Sequence, residues 1–222
     1  MTGCSVSYCA AGCSAFPDDT DHLIGYSSGM IDRFDITRSW EWNLQNAPHT
    51  SSVQSAPLAG DWSWCGLPVN SPLGISAGPL LDSRWLLYYA NRGFDILVYK
   101  TVRSRAHPCY ALPNLVPVST GPLQTAGSVV PASSEMQGSW AVSFGMPSQS
   151  PDVWRKDVSE ARNHLGDGQV LVVSVVGTQD ATSAADHDSL QALARDFAQC
   201  AKWAVESGAH GVEANFSCPN VA

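Results

Sequence analysis

Val170-Leu171-Val172-Val173-Ser174-Val175-Val176 is the segment that most limits what this chain can become. A run this apolar has no wet side, so it requires a strand covered on both faces, and it is far too short to cross a bilayer. Asp95-Ile96-Leu97-Val98-Tyr99-Lys100 is a second run of the same kind. Leu73-Gly74-Ile75-Ser76-Ala77-Gly78 reads as a shorter strand ending in small residues, and residues 211–216 read as a fourth.

Helical patterns separate these strands. Asp82 or Ser83 can cap a helix that carries Trp85, Leu86, Tyr89 and Ala90 on one face and stops at Gly93. Residues 153–164 have helical character. Residues 188–207 place Leu190, Leu193, Phe197, Cys200 and Ala204 on one stripe, with Gly208 positioned to end the helix. Strand-helix-strand alternation means parallel strands joined by right-handed crossovers. Four such strands fit half of a (β/α)8 barrel or a small doubly wound sheet. No Gly-x-Gly-x-x-Gly follows any strand, which favours the barrel. The expected organisation is a disordered leader over residues 1–29, a wrapping segment over 30–60 that buries Trp40 and Trp42, and an incomplete barrel over 61–222. The Pro-, Gly- and Ser-rich stretch 101–150 is expected to be irregular, as a lid or binding loops.

A formal net charge of -8, with no basic stripe, argues against nucleic acid as a partner. Seven cysteines, an odd number and scattered, make no disulfide framework, and the leader lacks the basic and apolar regions of a secretory signal, so the chain reads as cytoplasmic. Cys4, Cys9 and Cys13 lack paired CxxC spacing and a neighbouring His, and the remaining histidines are dispersed, so no metal is expected.

Chemistry concentrates where strands end. Lys100 leaves its strand at the C-terminal end, where an ammonium either holds an anion or electron-rich ring, or snorkels into solvent. Ala77 and Gly78 bring no bulk, so backbone there can approach a flat ligand, although a plain strand-to-helix turn would look the same. Cys218 is either a buried structural thiol or a base acting through its thiolate. Asn215, Ser217 and Asn220 surround it in sequence with hydrogen-bonding groups that need partners, and a ligand would supply them. Glu213 reads as facing helices or a barrel-layer partner, with no role assigned.

Taken in order, Ser71-Pro72-Leu73-Gly74-Ile75-Ser76-Ala77-Gly78, Tyr99-Lys100-Thr101-Val102, Ser143-Phe144-Gly145-Met146-Pro147 and Asn215-Phe216-Ser217-Cys218-Pro219-Asn220 resemble the dihydroorotate dehydrogenase family over roughly residues 61–222. The resemblance implies an FMN-binding (β/α)8 barrel that oxidises dihydroorotate to orotate in pyrimidine biosynthesis. It implies that Ala77, Gly78, Lys100, Thr101 and Asn215 touch the flavin. Lys100, Ser143, Phe144, Gly145, Met146, Asn215 and Asn220 would touch the substrate. Cys218 in place of serine is similar to the soluble class 1 enzymes, in which the thiolate takes the C5 proton while C6 gives hydride to flavin N5. Relatives of that class also suggest a homodimer at full length. Two features depart from the family pattern. Val142 and Ser148 stand where asparagines are usual, and losing a carboxamide to valine costs about 1–3 kcal/mol if a partner is left unpaired. The later barrel strands have no counterpart before Ala222, so the chain is expected to be C-terminally truncated and inactive alone. Two other readings follow from these departures: a related FMN barrel acting on another pyrimidine, like the matching domain of dihydropyrimidine dehydrogenase, or a non-catalytic half-barrel binding module.

Overall fold

The structure is a computed structural model and describes residues 34–49, 58–121, 129–135, 138–178 and 187–216. The expected leader, with Cys4, Cys9 and Cys13, and residues 217–222, with Cys218 and Asn220, lie outside the described residues. Chain order begins with α1 (Trp40–Gln45), β1 (Trp62–Trp64), β2 (Leu67–Val69), β3 (Gly74–Ile75), α2 (Ser83–Ala90) and β4 (Ile96–Val102). It continues with β5 (Leu115–Val118), β6 (Ser139–Val142), α3 (Pro151–His164), β7 (Val170–Val175), α4 (His187–Glu206) and β8 (Gly211–Ala214). The described residues divide into two compact units, one holding those within 114–142 and the other those within 34–113 and 143–216.

In the larger unit, β3, β4, β7 and β8 form one parallel sheet in that spatial order. Spatial order follows chain order without a reversal. Right-handed crossovers that always step the same way lay down consecutive barrel strands, whereas a doubly wound sheet reverses at a switch point. The architecture is therefore a partial (β/α)8 barrel.

Both faces of the sheet are covered, as the apolar strands require. Leu97, Tyr99, Leu171, Val173 and Val175 point outward and pack with Leu86, Trp154, Val158, Cys200 and Ala204 of the helices. Ile96, Val98, Val170 and Val172 point inward against Trp64, Leu67 and Val69 of the β1–β2 hairpin. The hairpin is absent from the expectations drawn from sequence, yet its signal was local. Cys65 and Gly66 sit in the two-residue turn with φ of 48° and 82°, the left-handed pair that such a turn needs.

Several boundaries differ from expectation. The first strand pairs only at Gly74 and Ile75, and the segment beyond bends away without ladder partners in the sheet. α4 buries Cys200 and Ala204, but Leu190 is 59% exposed. Close approach to the sheet begins at Leu193 and Phe197, where a side-chain carbon on Gly177 would lie 2.5 Å from both. Of the two tryptophans expected to be buried, Trp40 is, while Trp42 remains half-exposed with Arg38 over its ring.

The region expected to be irregular contains ordered pairing. β4 continues to Val102, and in the smaller unit β5 pairs antiparallel with β6, from Leu115 opposite Val142 to Val118 opposite Ser139. Val118 also bridges Ala132. Four-residue strands interrupted by Pro117 are too short to display a period, and their pairing is non-local.

Polar staples fix the helices to the sheet. Asp157 of α3 accepts hydrogen bonds from Ser83 N at 2.7 Å, Ser83 Oγ at 2.6 Å and Tyr99 Oη at 2.6 Å. Burial pushes the Tyr99 phenol well above its usual range, so it serves as a donor at any physiological pH. Asp82 caps α2 through Arg84 N and Trp85 N, while Arg84 returns to the Asp82 carboxylate and reaches Leu44 O. Asn43 is fully buried, accepting from Asp35 N and donating to Asp35 O and Ser39 O; Trp85 Nε1 donates to Asn43 O. These bonds seat α1 on α2.

Asp157→Ala leaves a buried phenol and hydroxyl without an acceptor, and should cost about 2–4 kcal/mol in urea unfolding. Tyr99→Phe should cost about 1 kcal/mol. Equal losses in both variants would refute Asp157 as the shared acceptor. A second prediction concerns acid stability. His210 Nδ1 accepts from Leu171 N at 2.9 Å, which only the neutral ring can do. Burial, aided by Arg162, holds its pKa below the usual 6.5. A base with a lowered folded-state pKa contributes stability that is complete above pH 6.5 and declines as pH falls through the folded value. His210→Ala should therefore be less stable near neutrality and show a shallower acid-side decline in urea midpoint. His107, whose pKa is also lowered, retains part of the slope. An unchanged slope would remove His210 as its source.

Candidate active site

Polar side chains gather at the C-terminal ends of adjacent strands, where the double cover of apolar groups stops. The ladder between β4 and β7 matches Tyr99 to Val173 and Val102 to Val175, so Lys100 and Thr101 together oppose Ser174. This bulge re-aims the strand and brings Thr101 toward the β7 side. Thr101 Oγ1 and Ser174 Oγ lie 2.9 Å apart, and both residues are buried. Ser174 Oγ donates to Glu213 Oε1 at 2.6 Å, and Asn215 Nδ2 donates to Thr101 Oγ1 at 3.3 Å. Four side chains from β4, β7 and the end of β8 thus form one continuous line across the sheet. Lys100 is half-buried beside it, its backbone N–H donating to Leu80 O.

Ala77 and Gly78 follow β3 and are half-buried. No atom lies within 4 Å of where a side-chain carbon on Gly78 would be, so there is open room beside this backbone.

Beyond β4 the chain enters a clamp that sequence reasoning missed. Arg103 is 3% exposed, and its guanidinium donates to Met146 O at 3.1 Å, Gly145 O at 3.4 Å and Thr178 Oγ1 at 3.2 Å. Gly145 and Met146 both adopt positive φ, 74° and 50°, which turns their carbonyls toward the arginine. A side chain at Gly145 would collide with the Tyr110 ring, 2.7 Å from its first carbon. Phe144 packs edge-on against Phe34 and joins the cluster around Trp40 and Trp85. The only sequence signal for the clamp was a charged residue directly after a buried strand.

Ser148, which stands where the family it resembles usually has asparagine, is 6% exposed, accepts from Arg103 N at 3.1 Å and donates to Gln149 O at 2.9 Å. Its main chain also pairs with His107. Here the hydroxyl holds the loop to β4. Val142 belongs to β6, paired with Leu115 and 55% exposed.

Of the residues singled out from sequence, the structure brings together Lys100, Thr101 and Asn215, and Ser174 and Glu213 join them. It places Phe144, Gly145 and Met146 in the clamped loop, with Ser143 half-buried at its start. Among the described cysteines, burial raises Cys109 to about 11 and Cys200 to about 12, so both remain thiols near neutrality and neither competes as a base. Among the described residues, no group of three or more His, Cys, Asp or Glu side chains is arranged to hold a metal ion. No helix among them is long and apolar enough to cross a membrane.

No protein-family model matches the chain. A search of curated proteins finds a dihydroorotate dehydrogenase of Dictyostelium discoideum, 35% identical over 206 residues, covering 85% of this chain and 53% of that protein. The chain thus spans about half the length of the curated relative it matches. Among solved structures, a crystal structure of DHODH in complex with ferulenol from Eimeria tenella has a TM-score of 0.46 and 15% identity, over 70% of this chain and 36% of that one. By its sequence match over 85% of its length, the chain is a homologue of that dihydroorotate dehydrogenase.

Proposed function

We propose that this chain forms one wall of an FMN site at which dihydroorotate is oxidised to orotate. The observation that carries the reading is the polar line at the strand ends, Lys100, Thr101 and Asn215 beside the open backbone at Gly78, in a chain 35% identical to a dihydroorotate dehydrogenase. These residues suit a flat heterocycle with polar edges. The backbone at Ala77 and Gly78 has room to lie against a ring face, Lys100 offers a cation for an electron-rich edge, and Thr101 and Asn215 offer hydrogen bonds. When bound, FMN supplies the acceptor for the hydride equivalent that leaves C6 of the substrate.

The remaining work falls to the chain. Cys218 Sγ takes the proton from C5 as a thiolate, and Asn215 and Asn220 orient the heterocycle by its polar rim. Ser143, Phe144, Gly145 and Met146 meet substrate from the loop that Arg103 holds. A loop held by a buried guanidinium is pre-ordered, so ligand binding would spend little on ordering it. On the family resemblance, we place the full-length protein in the cytoplasm as a homodimer in pyrimidine biosynthesis.

In the full-length protein, Lys100→Ala should weaken FMN binding about tenfold or more by fluorescence titration. A wild-type protein that never takes up FMN would overturn the flavin reading. Cys218→Ala should still bind flavin but slow its reduction by dihydroorotate about a hundredfold or more in stopped flow. Cys218→Ser should keep part of the rate, with the optimum moved to higher pH because a hydroxyl is the weaker acid. An undiminished rate in the alanine variant would exclude the thiol as base.

A further inference from the structure

We infer that Glu213 is a positioning residue that sets the direction of the hydrogen-bond chain Asn215–Thr101–Ser174–Glu213 and thereby the orientation of the Asn215 carboxamide. The inference rests on the reading above for the role of Asn215, and it assigns a task to a carboxylate that acts through Ser174.

The argument is a count of protons. An ionised carboxylate only accepts, so the Ser174 hydroxyl must donate to Glu213. The 2.6 Å separation is that of a charge-assisted O–H···O⁻ bond, the strongest link in the chain. Ser174 has a single proton and has now committed it. The 2.9 Å contact between Ser174 and Thr101 must then be a donation from Thr101. Thr101 has likewise spent its only proton, so it can meet Asn215 only as an acceptor. The Asn215 group facing it at 3.3 Å is Nδ2, the donor end. A carboxamide has one N branch and one O branch, so fixing Nδ2 on Thr101 turns Oδ1 to the opposite side. One charge, three side chains away, thus presents Asn215 with an acceptor at Thr101 and favours one of its two carboxamide orientations. Glu213 and Ser174 are adjacent in the β7–β8 register, so the link is set by the sheet itself.

The test uses Glu213→Gln, which keeps shape but can donate or accept, and Ser174→Ala, which cuts the chain. NMR reads hydrogen exchange and chemical shift of the Asn215 side-chain amide, and fluorescence titration reads FMN affinity in the same full-length protein. Each single variant is expected to speed exchange of the Asn215 amide about tenfold or more and to raise the FMN Kd about tenfold. In the Ser174→Ala background, adding Glu213→Gln should change neither readout further, because Glu213 acts through Ser174. Residual effects of Glu213→Gln in that background would overturn the inference, as would a wild-type Asn215 signal in either single variant. A merely structural carboxylate would shift the melting temperature in both backgrounds alike. If the Asn215 amide responds as expected but the wild type binds no FMN, the chain of bonds stands and the flavin reading falls.

Discussion

A parallel sheet buried on both faces can afford polar side chains only where its cover runs out. Here helices α2, α3 and α4 seal the outer face, and the β1–β2 hairpin seals the inner face around Val98 and Val172. Polar groups inside such a sandwich need partners from neighbouring strands. The sheet meets that demand at one level: Thr101, Ser174 and Glu213 lie on three consecutive strands and satisfy one another, and Asn215 extends the line past the end of β8. The site is where it is because the apolar packing stops there.

The bulge in β4 and the arginine after it make that level usable. Without the extra residue, strict alternation would put Thr101 on the face opposite Lys100 and take it away from Ser174. Arg103 then binds the carbonyls of Gly145 and Met146, while its own main chain is held by Ser148 Oγ and Trp154 Nε1. A buried guanidinium is tolerated because several acceptors surround it, and in return it orders an adjoining loop.

Much of the fold was legible in the chain. Apolar runs at residues 95–100 and 170–176 could only be covered strands, the stripe ending at Cys200 and Ala204 could only be a helix against them, and Asp82 announced a cap. The hairpin at Cys65 and Gly66 was equally local but was overshadowed by the stronger alternation that follows. β5 and β6 were not legible, because pairing between segments about twenty residues apart leaves no period in either. For the site, Lys100, Thr101 and Asn215 stood out as polar residues at strand ends. Ser174 was visible only as an interruption of a valine run, and Glu213 as a carboxylate in a strand.

The order of strands, their double cover and the confinement of polar groups to strand ends were determined by the sequence alone, since period, run length and caps are properties of neighbouring residues. Which polar groups meet was decided by tertiary structure. Thr101 lies 114 positions from Asn215, and Ser174 lies 39 from Glu213. Parallel register and one bulge bring these groups within hydrogen-bond distance, and register depends on the packing of whole elements, which no local pattern encodes.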